Sequence, residues 1–172
     1  RNLNIATVPE GRWVELNFIQ ALNCARIQNE NVHLKLWQTA IDASQLGNDK
    51  LTETIGDTLR RSQAQSERFV QSLVLTIQEQ PSSQLKQIAI QILGSILYTG
   101  RSSQQKNIIH VLAQNLIQTD KSIKNKSIYA LCAIEKANKE AIALLQQELQ
   151  IANNNEQKAL IEYSLEYILN KP

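Results

Sequence analysis

Apolar residues recur along most of this chain three and four places apart, the spacing that gathers them on one face of an α-helix. Polar punctuation cuts the pattern into lengths of about four turns. A first helix is predicted over residues 10–27, with Trp13, Leu16, Ala21, Leu22 and Cys24 apolar. A second covers 32–46 and turns at Gly47-Asn48-Asp49. Residues 50–80 hold two stripes, Leu51, Ile55 and Leu59, then Phe69, Val70, Leu73, Val74 and Ile77. Between them Ala64 is the one apolar residue of 60–68, so two helices with a polar joint are preferred to one long helix. Pro81-Ser82-Ser83 opens a helix through Leu97, with Gly100 as a left-handed cap. Helices follow over 102–117, over 121–136 capped by Asp120, and from Asn138 to about Ile151. After Asn153–Asn155 a last helix ends near Leu169. Turns this short between such helices make neighbours antiparallel.

The pattern repeats. One constant shift lays Leu85-Lys86 on Ile123-Lys124, Ala89 on Ser127, Leu93-Gly94 on Leu131-Cys132 and Ile96 on Ile134. A second, slightly shorter shift brings Lys124 onto Lys158, Leu131 onto Leu165 and Ile134 onto Ile168. The helices that follow also match, with Ile109, Val111, Leu112 and Leu116 corresponding to Ile142, Leu144, Leu145 and Leu149. Two helices in each period of this kind are what an α-solenoid requires, because one pair has too little apolar surface to close a core alone. In that arrangement Ala89, Gly94, Ser127 and Cys132 allow close helix approach, and Leu93, Leu131 and Ile134 fill the seam.

These residues resemble the HEAT-repeat family. Its first helix begins with an acid, continues with an aliphatic-basic pair and a small residue three places on, and carries a later Leu-small pair. Asp120, Ile123-Lys124, Ser127, Leu131-Cys132 and Ile134 fit that pattern. So do Leu85-Lys86, Ala89 and Leu93-Gly94, with Pro81 where such a repeat often starts. A third copy departs from it, with Ile161 for the small residue and Glu166 for glycine, as a capping helix would. The resemblance covers about residues 81–170. Residues 1–80 match poorly, and Val32-His33 with Leu36 would start a degenerate copy at best. It implies an all-α fold over 1–172, a right-handed α-α superhelix of stacked antiparallel helix pairs with about eight or nine helices. It also implies that the second helices line the concave face. HEAT arrays serve many tasks, so the resemblance bears on fold far more than on function.

Composition supports the helical reading: Gly (5) and Pro (3) are scarce, and both disfavour helix interiors. The net charge of +2 favours neither nucleic acid nor membrane. Residues 80–134, however, carry six bases against one acid, namely Lys86, Arg101, Lys106, Lys121, Lys124 and Lys126 against Asp120. Such a run ordinarily lines a solvated face. Cys24 and Cys132 are expected as small buried thiols, without a disulfide framework, in a reduced, cytoplasmic setting. No apolar run approaches the roughly 18 residues of a membrane span. A chain that begins at Arg1 and contains no methionine is expected of a fragment or a processed protein.

Chemistry is sparse. His110 has Lys106, Asn107, Ala113 and Gln114 one turn away, which supply neither an orienting carboxylate nor a nucleophile. His33 has no zinc-ligand spacing and reads as structural. Glu162 and Glu166 share a face with Lys158 before them, too few ligands for a metal. No phosphate loop, nucleophile elbow or Cys-x-x-Cys is present. Trp13 and Trp37 read as core. No cofactor and no enzymatic activity are expected.

The leading expectation is a protein-protein interaction scaffold or sensor module, binding through the second helices. Arg68, Gln71, Lys106, His110, Gln114, Glu140 and Gln147 are the candidate contacts. The amide-rich helix with Gln104, Gln105, Asn107, Gln114, Asn115 and Gln118 suits a protein better than a polyanion. The alternative is a nucleic-acid-binding array using the basic stretch 86–126. It is ranked lower because no row of exposed aromatics is visible for stacking on bases. A more remote alternative is a HEAT-type enzyme such as a DNA glycosylase or chromophore lyase.

Overall fold

The computed structural model describes residues 29–62, 65–99 and 103–171. The expected helix over 10–27, with Trp13 and Cys24, lies outside them, as do Gly100 and Arg101. Among the described residues there are eight α-helices and no strand: α1 Glu30–Gln45, α2 Asp49–Ser62, α3 Glu67–Glu79, α4 Ser83–Thr99, α5 Gln105–Gln114, α6 Lys121–Cys132, α7 Lys139–Ile151 and α8 Asn155–Leu169. A 3-10 turn, Asn115–Ile117, extends α5. Residues 50–80 therefore hold two helices, as the polar patch implied.

Local chemistry sets the starts. Asn29, Ser66, Asp120, Asn138 and Asn154 each accept a backbone N–H of the first turn, satisfying donors that the helix itself leaves unpaired. Leu46 ends the first helix, and Gly47 follows with φ +69, a conformation that favours glycine. The expected helix over 121–136 stops earlier, at Cys132. There the Ile134 N–H turns back to Leu131 O at 3.1 Å. The Lys171 ammonium takes the carbonyls of Cys132 (2.6 Å) and Ile134 (3.1 Å). Those carbonyls would otherwise serve the next turn, and a cation there also suits the negative helix end. Glu135 and Lys136 consequently belong to a turn and not to a helix face.

Alternate helices form two layers. α2, α4, α6 and α8 pack each on the next, α1, α3, α5 and α7 do the same, and helix pairs close across the layers. One apolar core runs through all of them, from Leu36 and Trp37 to Leu165 and Ile168. Trp37 is 1% exposed and donates its indole N–H to Thr76 Oγ1 at 3.0 Å. It is core, as expected. His33 is buried against Phe69, and burial pushes the Cys132 thiol up. The sequence period reappears as contact spacing. Ser44 bonds to Ser82, and Gln105 to Asn138, each one repeat further along the chain. A neighbour within a layer is one helix pair away in the chain, so its sequence distance is the period.

The small residues sit where layers close. A Cβ on Gly94 would lie 2.9 Å from Ala130 Cβ, and one on Gly56 would overlap the Ile88 methyl. Gly56 corrects the reading of the first half. α2 lies in the layer of α4 and α6. Ile55-Gly56 precedes Leu93-Gly94 by the same step that separates Leu93-Gly94 from Leu131-Cys132. α1 lies in the other layer, so Val32-His33 does not hold the place of Leu85-Lys86. No described helix is long and apolar enough to cross a membrane.

Asp120 ties two helix starts together. Its Oδ1 caps α6, and its Oδ2 accepts the Ser83 hydroxyl at 2.5 Å. Ser83 first, then the Ile123 N–H, holds the carboxyl below its ordinary value near 3.8. For an acid lowered by folding, the stabilisation is complete above the unfolded-state value and disappears as pH falls through the folded one. Asp120→Asn should therefore lower the thermal midpoint at neutral pH, and the gap to the parent should close on acidification below about pH 4. Melts across pH test this. A gap unchanged down to about pH 2 would mean that the charge contributes nothing.

Candidate functional site

All seven residues singled out from the sequence lie in one layer: Arg68 and Gln71 on α3, Lys106, His110 and Gln114 on α5, Glu140 and Gln147 on α7. They are exposed and are not brought to a single point. Arg68 turns toward α1, with Nη1 4.0 Å from Glu30 Oε2. Gln71 and His110 line one groove between α3 and α5, whereas Lys106, Gln114, Glu140 and Gln147 are outside its lining. The groove has an aliphatic floor of Val70, Val74, Leu75 and Val111. Its rim is amide-rich, with Gln71, Gln78, Gln104 and Asn107, and Asn107 Nδ2 donates to Gln104 Oε1 at 2.8 Å. Leu75 is 43% exposed. Glu67 is the one permanently charged residue of the lining.

His110 does have an orienting carboxylate, contrary to the reading from its own helix. Glu148 Oε1 on α7 lies 2.9 Å from Nδ1, and Gln114 Nε2 lies 3.0 Å from Nε2. These partners fit an imidazole that donates Nδ1–H to the carboxylate and accepts the amide at Nε2. The helical neighbours of His110 gave no sign of Glu148, because this contact crosses to the next repeat. The step that relates Leu93 to Leu131 also relates His110 to Glu148, and it was the available signal. No Ser, Thr or Cys lines the groove, so the pair has no nucleophile there to activate. Among the described residues no group of three or more His, Cys, Asp and Glu could hold a metal.

The opposite layer carries what the sequence reading overlooked. The chain has four tyrosines, and Tyr98 on α4, Tyr129 on α6 and Tyr163 and Tyr167 on α8 are all at least half exposed. This overturns the expectation that exposed aromatics form no row. The steps from Tyr98 to Tyr129 and on to Tyr163, each close to the repeat period, were the legible sign. The basic stretch is mostly here too, with Lys86, Lys121, Lys124 and Lys126 on α4 and α6 and Lys106 on α5. Part of its charge is engaged: Lys124 Nζ lies 2.6 Å from Glu156, and Lys86 acts on Asp120.

The chain matches no protein-family model, and it matches no curated protein.

Proposed function

We propose that this protein is a non-catalytic, HEAT-like superhelical scaffold that holds another protein against the layer of α1, α3, α5 and α7. The observation that carries the reading is the α3–α5 groove, an exposed aliphatic floor under a rim of amides with almost no charge. Amides offer both donor and acceptor to a peptide backbone, and apolar floors take side chains that leave water. The His110–Glu148 bond stiffens one wall by joining α5 to α7. A buried free thiol at Cys132 fits a reducing, cytoplasmic setting.

Peptides selected on the immobilised protein from a proline-free random library provide the test. Gln71→Ala and His110→Ala should each weaken the selected peptides about tenfold, the scale of a well-placed contact. Lys106→Glu and Glu140→Lys should weaken them less, with helical content intact. Binding that survives all four and is lost on changes in α4 or α6 would move the site to the other layer.

The exposed tyrosines give the nucleic-acid reading a specific observation in its favour. Its charge is weak, since Lys124 and Arg60 are paired with Glu156 and Asp57, and affinity for phosphates needs several charges on one surface. Anisotropy with short duplex and single-stranded probes should show binding no tighter than about 10 μM near physiological salt, the non-specific range. Submicromolar, steeply salt-dependent binding would put this reading first.

A further inference from the structure

Tyr98 and Tyr129 belong to neighbouring helices and line one groove between α4 and α6. They are 59% and 73% exposed, so neither is needed to fill the core. Neither hydroxyl has a hydrogen-bond partner among the described residues. The groove exists because the helices touch at Gly94 and Ala130, and these with Ala133 leave a floor of small residues between two aromatic walls. Exposed tyrosines beside a small-residue floor are the usual anchors of an interface.

Charge narrows the ligand. Along this groove and its continuation over α2 stand Glu53 and Asp57 against Arg60 and Lys126, and Arg60 is bonded to Asp57 at 3.0 Å. The local sum is zero, which favours neither a polyanion nor a strongly charged peptide. Donors are in excess, namely the two phenols, the Gln91 amide and the Lys126 ammonium, which has no carboxylate within 4.0 Å among the described residues. The complementary partner is neutral, presents flat apolar rings, and offers backbone carbonyls while having few N–H groups. A proline-rich segment in the polyproline II conformation has those properties, since its carbonyls make no internal bonds.

We propose that the α4–α6 groove docks a proline-rich segment of another protein, with proline rings against Tyr98 and Tyr129 and its carbonyls accepting from their hydroxyls. This surface is in the layer opposite the α3–α5 groove and does not depend on it.

The test is an NMR titration of the isotope-labelled chain with a neutral proline-rich peptide of about twelve residues, four turns of the three-residue helix. The expected result is saturable binding with shifts confined to α4, α6 and the adjoining face of α2. Tyr98→Ala and Tyr129→Ala should each weaken it about tenfold, and the corresponding Phe variants should retain part of it. Gln71→Ala on the other layer should change nothing. The shift map of the parent chain stands even if a variant misfolds. No saturation by about 1 mM, a free energy of only about 4 kcal/mol, would overturn the proposal. So would equal binding of the peptide with every proline replaced by alanine, or tighter binding of a single-stranded oligonucleotide at the same tyrosines.

Discussion

Leu93→Ala and Leu131→Ala should each cost about 2–5 kcal/mol of stability, the range for emptying a fully buried leucine site. Both side chains are 0% exposed. They lie in one layer, on α4 and α6, and hold the same place in successive repeats. Ile55, one period before Leu93 and equally buried, completes the row and should respond alike. Each truncation leaves a cavity in a seam between two helices that are themselves held by further neighbours, so collapse around it is restricted. Urea denaturation reads the effect as a lower midpoint at nearly constant slope. A loss below about 0.5 kcal/mol at any of the three, the size of an ordinary surface change, would show that the repeat register is wrong. Tyr98→Ala, at an exposed position of α4, is the matching control.

Gly94→Val should be at least as damaging as a moderate cavity, for the opposite reason. A Cβ there would lie 2.9 Å from Ala130 Cβ and 3.1 Å from its Cα, so α4 and α6 must separate. Overpacking of this kind costs about 1–3 kcal/mol and sometimes more. The γ-methyls of Val add to it, and only about 1 kcal/mol at most is regained from removing glycine from a helix interior. Gly94→Ala should lose less but remain destabilising. Gly56→Ala meets the Ile88 side chain and no backbone atom, so pairing it with Ile88→Ala should recover stability beyond the sum of the two single effects. If Gly94→Ala instead stabilised the chain by about 1 kcal/mol, as at an uncrowded helical glycine, the helices would not approach there.

Much of the helical content was legible because its causes are local. Capping by Asp120 and Asn138 involves residues three places away, and the apolar stripe of α4 repeats within a turn. Legibility failed where the deciding partner was a helix away. The end of α6 depends on Lys171, a full repeat beyond Cys132. The layer of α2 could be read only once its packing on α4 showed Gly56 in the place of Gly94.

The candidate site divides the same way. The amphipathic pattern of α3, α5 and α7 was enough to place Arg68, Gln71, Lys106, His110, Gln114, Glu140 and Gln147 on exposed faces. It could not show that only Gln71 and His110 share a groove, that Glu148 holds His110, or that Tyr98 and Tyr129 flank a floor of small residues. By itself, then, the sequence determined the helices, their period and the faces they bury, because hydrogen-bond ladders and the helical burial pattern are set by near neighbours in the chain. Only the tertiary structure decided which exposed side chains meet, because those meetings depend on how closely each helix packs on the one a full repeat away.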